Sequence, residues 1–171
     1  MLVTLLVVAG TLIGFLAINA VWLNRQVLNE DNWAESITAI HALEHVHPTM
    51  LVKTLAEWRR VLRPGGTVQV HVPNGPELMQ AFIDAPVEEK WPIMGSLLGM
   101  YCGPGQHDPR ELELRSDHQL IIDFPMLEWA FTEAGFTDVA DLTETVEDRH
   151  TGGWRDVVPH YSLIVRAVKP E

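Results

Sequence analysis

Three consecutive stretches decide the fold: Glu35-Ser-Ile-Thr-Ala-Ile40, His41-Ala-Leu-Glu-His-Val-His-Pro48, and the run from Leu51 that ends Arg59-Arg-Val-Leu-Arg-Pro-Gly-Gly66 before Thr67-Val-Gln-Val-His-Val72. Residues 35–40 alternate polar and apolar side chains, the period of a short strand. Leu51, Leu55, Trp58 and Leu62 recur at the spacing of one helix face. Pro48 suits that helix's first turn, where a missing N–H costs nothing. Arg59, Arg60 and Arg63 put positive charge at its carboxyl end, against the negative pole of the dipole. Pro64-Gly65-Gly66 then stops the helix and turns the chain, and Gly65 is expected at a positive φ that Val cannot share. Thr67 to Val72 alternates again as a strand, which Pro73 ends.

Downstream, Asn74 and Pro76 read as the cap and first turn of a helix over about 77–83. Residues 84–100 read as helical with an interruption at Pro92, and Tyr101 to Pro109 is a turn-rich loop. Asp123 caps a helix whose Leu127, Phe131 and Ala134 share a face and which Gly135 closes. Phe136 to Leu142 and Tyr161 to Val168 read as strands on either side of a polar loop, Thr143 to Pro159. The order is β-α-β-α(α)-loop-α-β-loop-β. Helix-length crossovers predict a partly parallel sheet, into which the last strand inserts antiparallel.

Upstream the character changes. Met1 to Asn24 carries no Asp, Glu, Lys or Arg and is mostly apolar, long enough to cross about 30 Å of hydrocarbon as a helix. Trp22 stands near the end of the run, ahead of Arg25, and Gly10 and Gly14 form a GxxxG pair suited to helix packing. The expectation is two units: residues 1–24 as a transmembrane helix, and 33–171 as an α/β domain. Membrane attachment would run through residues 2–23, with the domain on the cytoplasmic side. A signal peptide, or a core or junction segment, stands as the alternative, and a truncated start would leave the domain cytoplasmic without an anchor.

The remaining composition narrows the function classes. A net charge of −11 over 171 residues leaves no basic footprint for nucleic acid. One cysteine, Cys102, rules out an internal disulfide framework and a four-cysteine zinc site. With 47% hydrophobic and 20% charged residues the chain is not disordered by composition.

The segment Ile37 to Val46, with its Leu43-Glu44-His45 turn, followed by Arg60-Val-Leu-Arg-Pro-Gly-Gly66, resembles the class I S-adenosylmethionine-dependent methyltransferases. Glu133-Ala-Gly-Phe136 resembles the end of that family's last helix. The resemblance implies a Rossmann-like sheet of order 3-2-1-4-5-7-6, of which this chain would supply strands 4, 5, 7 and 6, the last strand antiparallel, behind an amino-terminal hydrophobic helix. It implies S-adenosylmethionine as cofactor, held beside Ile40, His41, Ala42 and His45, with His118 as a candidate general base for a small-molecule or lipid-like acceptor. The family's glycine-rich loop and ribose-binding acid would lie upstream of Glu35, and Val8 to Gly14 has the glycines without the acid. On this reading the chain is the carboxyl half of a methyltransferase. The strand over 35–40 becomes an open sheet edge, where a protein partner could pair. A non-catalytic interaction module is the alternative.

His41, Glu44 and His45 admit three readings. Glu44 and His45 cap the following helix, with no metal. Or they hold a divalent ion, since some members of the resembled family carry Glu-x-x-Glu-His at this turn, with His41 here in place of the first Glu. Or the H-x-x-E-H string is an inverted zinc-protease motif, which requires both histidines on one helix face.

Overall fold

A computed structural model describes residues 4–8, 30–99, 118–146 and 161–171. Its centre is a five-stranded mixed sheet built from β1 (Thr4–Val8), β2 (Ala34–Ile40), β3 (Leu62–Pro73), β4 (Thr137–Asp141) and β5 (Ser162–Val168) in the order β1-β2-β3-β5-β4. The first three strands in that order run parallel, and β5 enters antiparallel between β3 and β4. Strands 1, 4, 5, 7 and 6 of the resembled family have this order and sense.

Among the described residues, four α-helices and two 3-10 turns surround the sheet. Two 3-10 turns, Leu43–His45 and Pro48–Met50, lead into α1 (Leu51–Val61). Then come α2 (Gly75–Asp84), α3 (Val87–Leu98) and α4 (Phe124–Glu133). α1 buries Leu51, Leu55 and Trp58, α4 buries Leu127 and Phe131, and both close on Ile37, Val68, Val70 and Val165 of the sheet. Phe131 meets Phe136 edge-on, with ring centroids 5.3 Å apart, the orientation that the ring quadrupoles favour. Leu78 and Ile93 form a second, smaller cluster between α2 and α3.

Some local signals act where expected and others do not. Asp123 Oδ1 accepts from Met126 N at 2.9 Å at the start of α4. Gly135 ends that helix at φ +85; Gly65 takes φ +71, but inside β3 where the register with β2 shifts, since α1 ends at Val61, ahead of the stop expected at Pro64-Gly65-Gly66. Pro92 does not break α3 but lies inside it. Asn74 makes no side-chain cap; its backbone instead bridges to Ile122.

The amino terminus differs from expectation. Thr4–Val8 is not helical: it is β1, paired parallel with Ser36–Ile40 of β2. A continuous apolar run fits a parallel strand buried on both faces as readily as a helix, because periodicity cannot separate the two. Consequently β2 is an interior strand rather than the open edge expected for 35–40. No helix among the described residues is long and apolar enough to cross a membrane, and the membrane anchor expected over residues 2–23 finds no support there. Gly10, Gly14, Trp22 and Arg25 lie outside the described residues, as do the turn-rich loop 101–109 and Gly152-Gly153.

Candidate functional site

β2 delivers its carboxyl end to a short polar turn. Ile40 is its last residue, and His41 N donates to His71 O at 2.8 Å, tying the turn to β3. His41 then takes φ +46, a left-handed conformation uncommon for a side chain with a Cβ. This reverses the chain into Leu43–His45, closed by His45 N to Ala42 O at 3.3 Å and Val46 N to Leu43 O at 3.1 Å. Ala42 is fully buried, so the faces the turn offers belong to Ile40, His41 and His45.

Glu44 is the unusual residue. It is 1% exposed, and neither carboxylate oxygen has a hydrogen-bond partner. Three imidazoles surround it. His41 Nδ1 lies 3.4 Å from Glu44 Oε1, His118 Nε2 3.9 Å and His45 Nε2 4.0 Å. One ligand atom each from Glu44, His45 and His118 falls within 4.8 Å of the others. A buried carboxylate without a partner costs several kcal/mol unless a cation or proton compensates it.

His118 is held for this position by two devices. Its Nδ1 lies 3.2 Å from the Leu97 carbonyl, and its backbone N donates to Leu98 O at 3.3 Å, both at the carboxyl end of α3. A carbonyl only accepts, so Nδ1 carries the proton, and in the neutral ring Nε2, which faces Glu44, does not. Burial lowers the His118 pKa below the ordinary imidazole value, and the Glu44 carboxylate opposes that shift. Gly99 supplies the second device. It sits at φ +70, and a Cβ there would come within 2.5 Å of the His118 ring.

The expected residues are thus brought together, with changed roles. His45 and Glu44 do not cap α1, which has no side-chain cap; His47 caps the 3-10 turn ahead of it, its Nδ1 accepting from Thr49 N at 3.3 Å. Nor is the protease arrangement formed, because residues 43–45 are a single 3-10 turn with His41 outside it, not an α-helical face. His118, read from sequence as a general base, joins the cluster on Glu44. Ser162, at the head of β5, was not legible as a site residue; its Oγ lies 2.9 Å from His41 Nε2.

A methyltransferase-domain family model matches residues 25–70, which hold β2, the turn, α1 and most of β3. This match and the sheet order support the class I methyltransferase assignment. No curated protein matches the chain significantly. Among solved structures, an S-adenosylmethionine-dependent methyltransferase from Archaeoglobus fulgidus is similar at 14% identity and TM-score 0.49, over 90% of this chain and 65% of that one. A Haloferax volcanii methyltransferase complex with its activator gives 16%, 0.44, 83% and 57%. The Haemonchus contortus phosphoethanolamine N-methyltransferase 2, bound to phosphomonomethylethanolamine and S-adenosylhomocysteine, gives 14%, 0.44, 83% and 35%. The chain therefore spans less than two thirds of each of these proteins. Likenesses of this order assign it no substrate and no partner.

Proposed function

We propose that the chain is a methyltransferase-type domain that takes S-adenosylmethionine beyond the carboxyl ends of β1 and β2, and that Glu44, His45 and His118 beside that crevice hold a divalent ion. Open parallel sheets bind ligands at those strand ends, and the family match over residues 25–70 supports the methyl donor. The observation that carries the ion is the buried Glu44 carboxylate, with both oxygens unpartnered and imidazoles turned toward it. Two imidazole nitrogens with one carboxylate suit the first-row divalent metals better than magnesium or calcium. When bound, such an ion supplies Lewis-acid polarisation of an acceptor oxygen.

The chain's own residues contribute placement. Ile40, His41 and His45 line the turn against the donor, α3 fixes His118 through Leu97 O, and burial favours its neutral imidazole. The acceptor is proposed to be a small molecule. Titration calorimetry with S-adenosylhomocysteine tests the donor site: saturable heat is expected, and its absence overturns the methyltransferase reading.

A second reading rests on a separate observation. Among the described residues no strand pairs with the outer side of β1, and Thr4–Val8 carries no charge. A non-catalytic interaction module would use that edge for a protein partner. It predicts no saturable S-adenosylhomocysteine heat, together with a mass that rises with concentration in light scattering.

A further inference from the structure

Ser162, His41 and Glu44 form a string: Ser162 Oγ to His41 Nε2 at 2.9 Å, then His41 Nδ1 to Glu44 Oε1 at 3.4 Å. The three come from separate places, the head of β5, the left-handed residue after β2, and the 3-10 turn. Nδ1 is the ring nitrogen nearer Glu44, 3.4 Å from Oε1 and short of a hydrogen bond, while Nε2 lies at hydrogen-bonding distance from the Ser162 hydroxyl. Tyr161 backs the ring, with centroids 5.6 Å apart and planes inclined at 31°.

Two chemistries use a hydroxyl–imidazole–carboxylate string. One is nucleophilic attack by the serine, which requires its oxygen to reach a substrate. The other is orientation of the carboxylate, which requires no access at all. Burial decides between them: Ser162 is 1% exposed, within the β3–β5 ladder opposite Pro73, while Glu44 at the far end is the group with unpartnered oxygens.

We infer that Ser162 and His41 are positioning residues that fix the rotamer of Glu44 from β5, and so set the affinity and coordination geometry of the divalent ion at Glu44, His45 and His118. The inference rests on the ion reading given above. His41 Nε2 lies against Ser162 Oγ, and the ligand atoms that gather within 4.8 Å of one another come from Glu44, His45 and His118. Partners one step behind a ligand tune metal affinity by roughly 10–100-fold when removed.

The test uses Co²⁺ with the full chain, read by calorimetry and by the visible ligand-field spectrum, together with the melting temperature of each metal-free protein. Ser162→Ala removes only the hydroxyl. His41→Asn keeps a residue that tolerates positive φ and removes the reach to Glu44. Both variants are expected to bind Co²⁺ about tenfold or more weakly, with an altered spectrum. Unchanged affinity and spectrum in both variants overturns the positioning role while leaving the ion site standing. Absence of saturable Co²⁺ binding by the unaltered protein overturns the ion reading, and this inference with it. Should a variant fold poorly on melting, the other carries the test. Labelling of Ser162 by a fluorophosphonate, mapped by peptide mass, overturns positioning in favour of a nucleophile.

Discussion

The two ends of β2 treat charge in opposite ways. At its amino end, Arg63 pairs with Glu35, Arg60 pairs with Asp31 and Glu57, and Lys169 Nζ donates to Asn32 Oδ1 at 2.7 Å and Leu62 O at 2.6 Å. The acids on Arg60 push its pKa further up, while burial draws that of Lys169 down. Each charge there has a partner and some water. At the carboxyl end a single carboxylate is sealed from water among imidazoles, with no hydrogen bond to either oxygen. Exposed pairs are worth about 0–1 kcal/mol, whereas an uncompensated buried charge is expensive. The first end is therefore tolerant surface, and the second carries a cost that the proposed ion would offset.

The sharpest way to break this contrast is Glu44→Gln. It should abolish saturable Co²⁺ binding, a loss of about a hundredfold or more, yet leave the metal-free protein as stable or more stable, since a buried unpaired charge has gone. A metal-free melting temperature lowered by about 5 °C or more would show that Glu44 stabilises the apo fold instead. Gly99→Ala comes next. Its Cβ meets the His118 ring, and φ +70 disfavours any side chain; a loss of about 1–3 kcal/mol in urea unfolding is expected, with weaker Co²⁺ binding.

Asp123→Ala, outside the cluster, should cost about 1 kcal/mol through the lost α4 cap and leave ligand affinity unchanged. Acidification should act at the carboxyl end through His118. His118 has a lowered pKa in the folded state, so the unfolded chain binds its proton first as pH falls below about 6.5. Its contribution is fully present above that value and is lost progressively below it. Chelated protein should lose less stability between pH 7.5 and 5.5 in His118→Asn than unaltered, measured by melts at both values. Smallest of all, Arg63→Ala should change stability by at most about 1 kcal/mol, less still in high salt.

Legibility followed the range of the interactions. Ala34–Ile40, α1, the positive φ of Gly65, the Asp123 cap and the Gly135 close rest on neighbours a few residues apart, and spacing or a single turn-former announced each of them. β1 was not legible, because an uncharged apolar run satisfies helix and buried strand equally; only its pairing with Ser36–Ile40 chooses. The candidate site divided in the same way. Glu44 and His45 stood out as a motif, but their neighbours His118 and Ser162 arrive by folding from far along the chain. Nothing local distinguishes His118 from the other histidines until α3 and Gly99 press it against Glu44.

The opposite margin of the sheet has a consequence of its own. β4 carries Asp138 at φ +51 and Asp141, and its register with β5 shifts between Thr137 and Ala140. Acidic side chains and an irregular ladder make that rim a poor template for stacking, so amyloid-like accretion is disfavoured on that flank. Among the described residues, any lengthening of this sheet would therefore favour the β1 side over the β4 side.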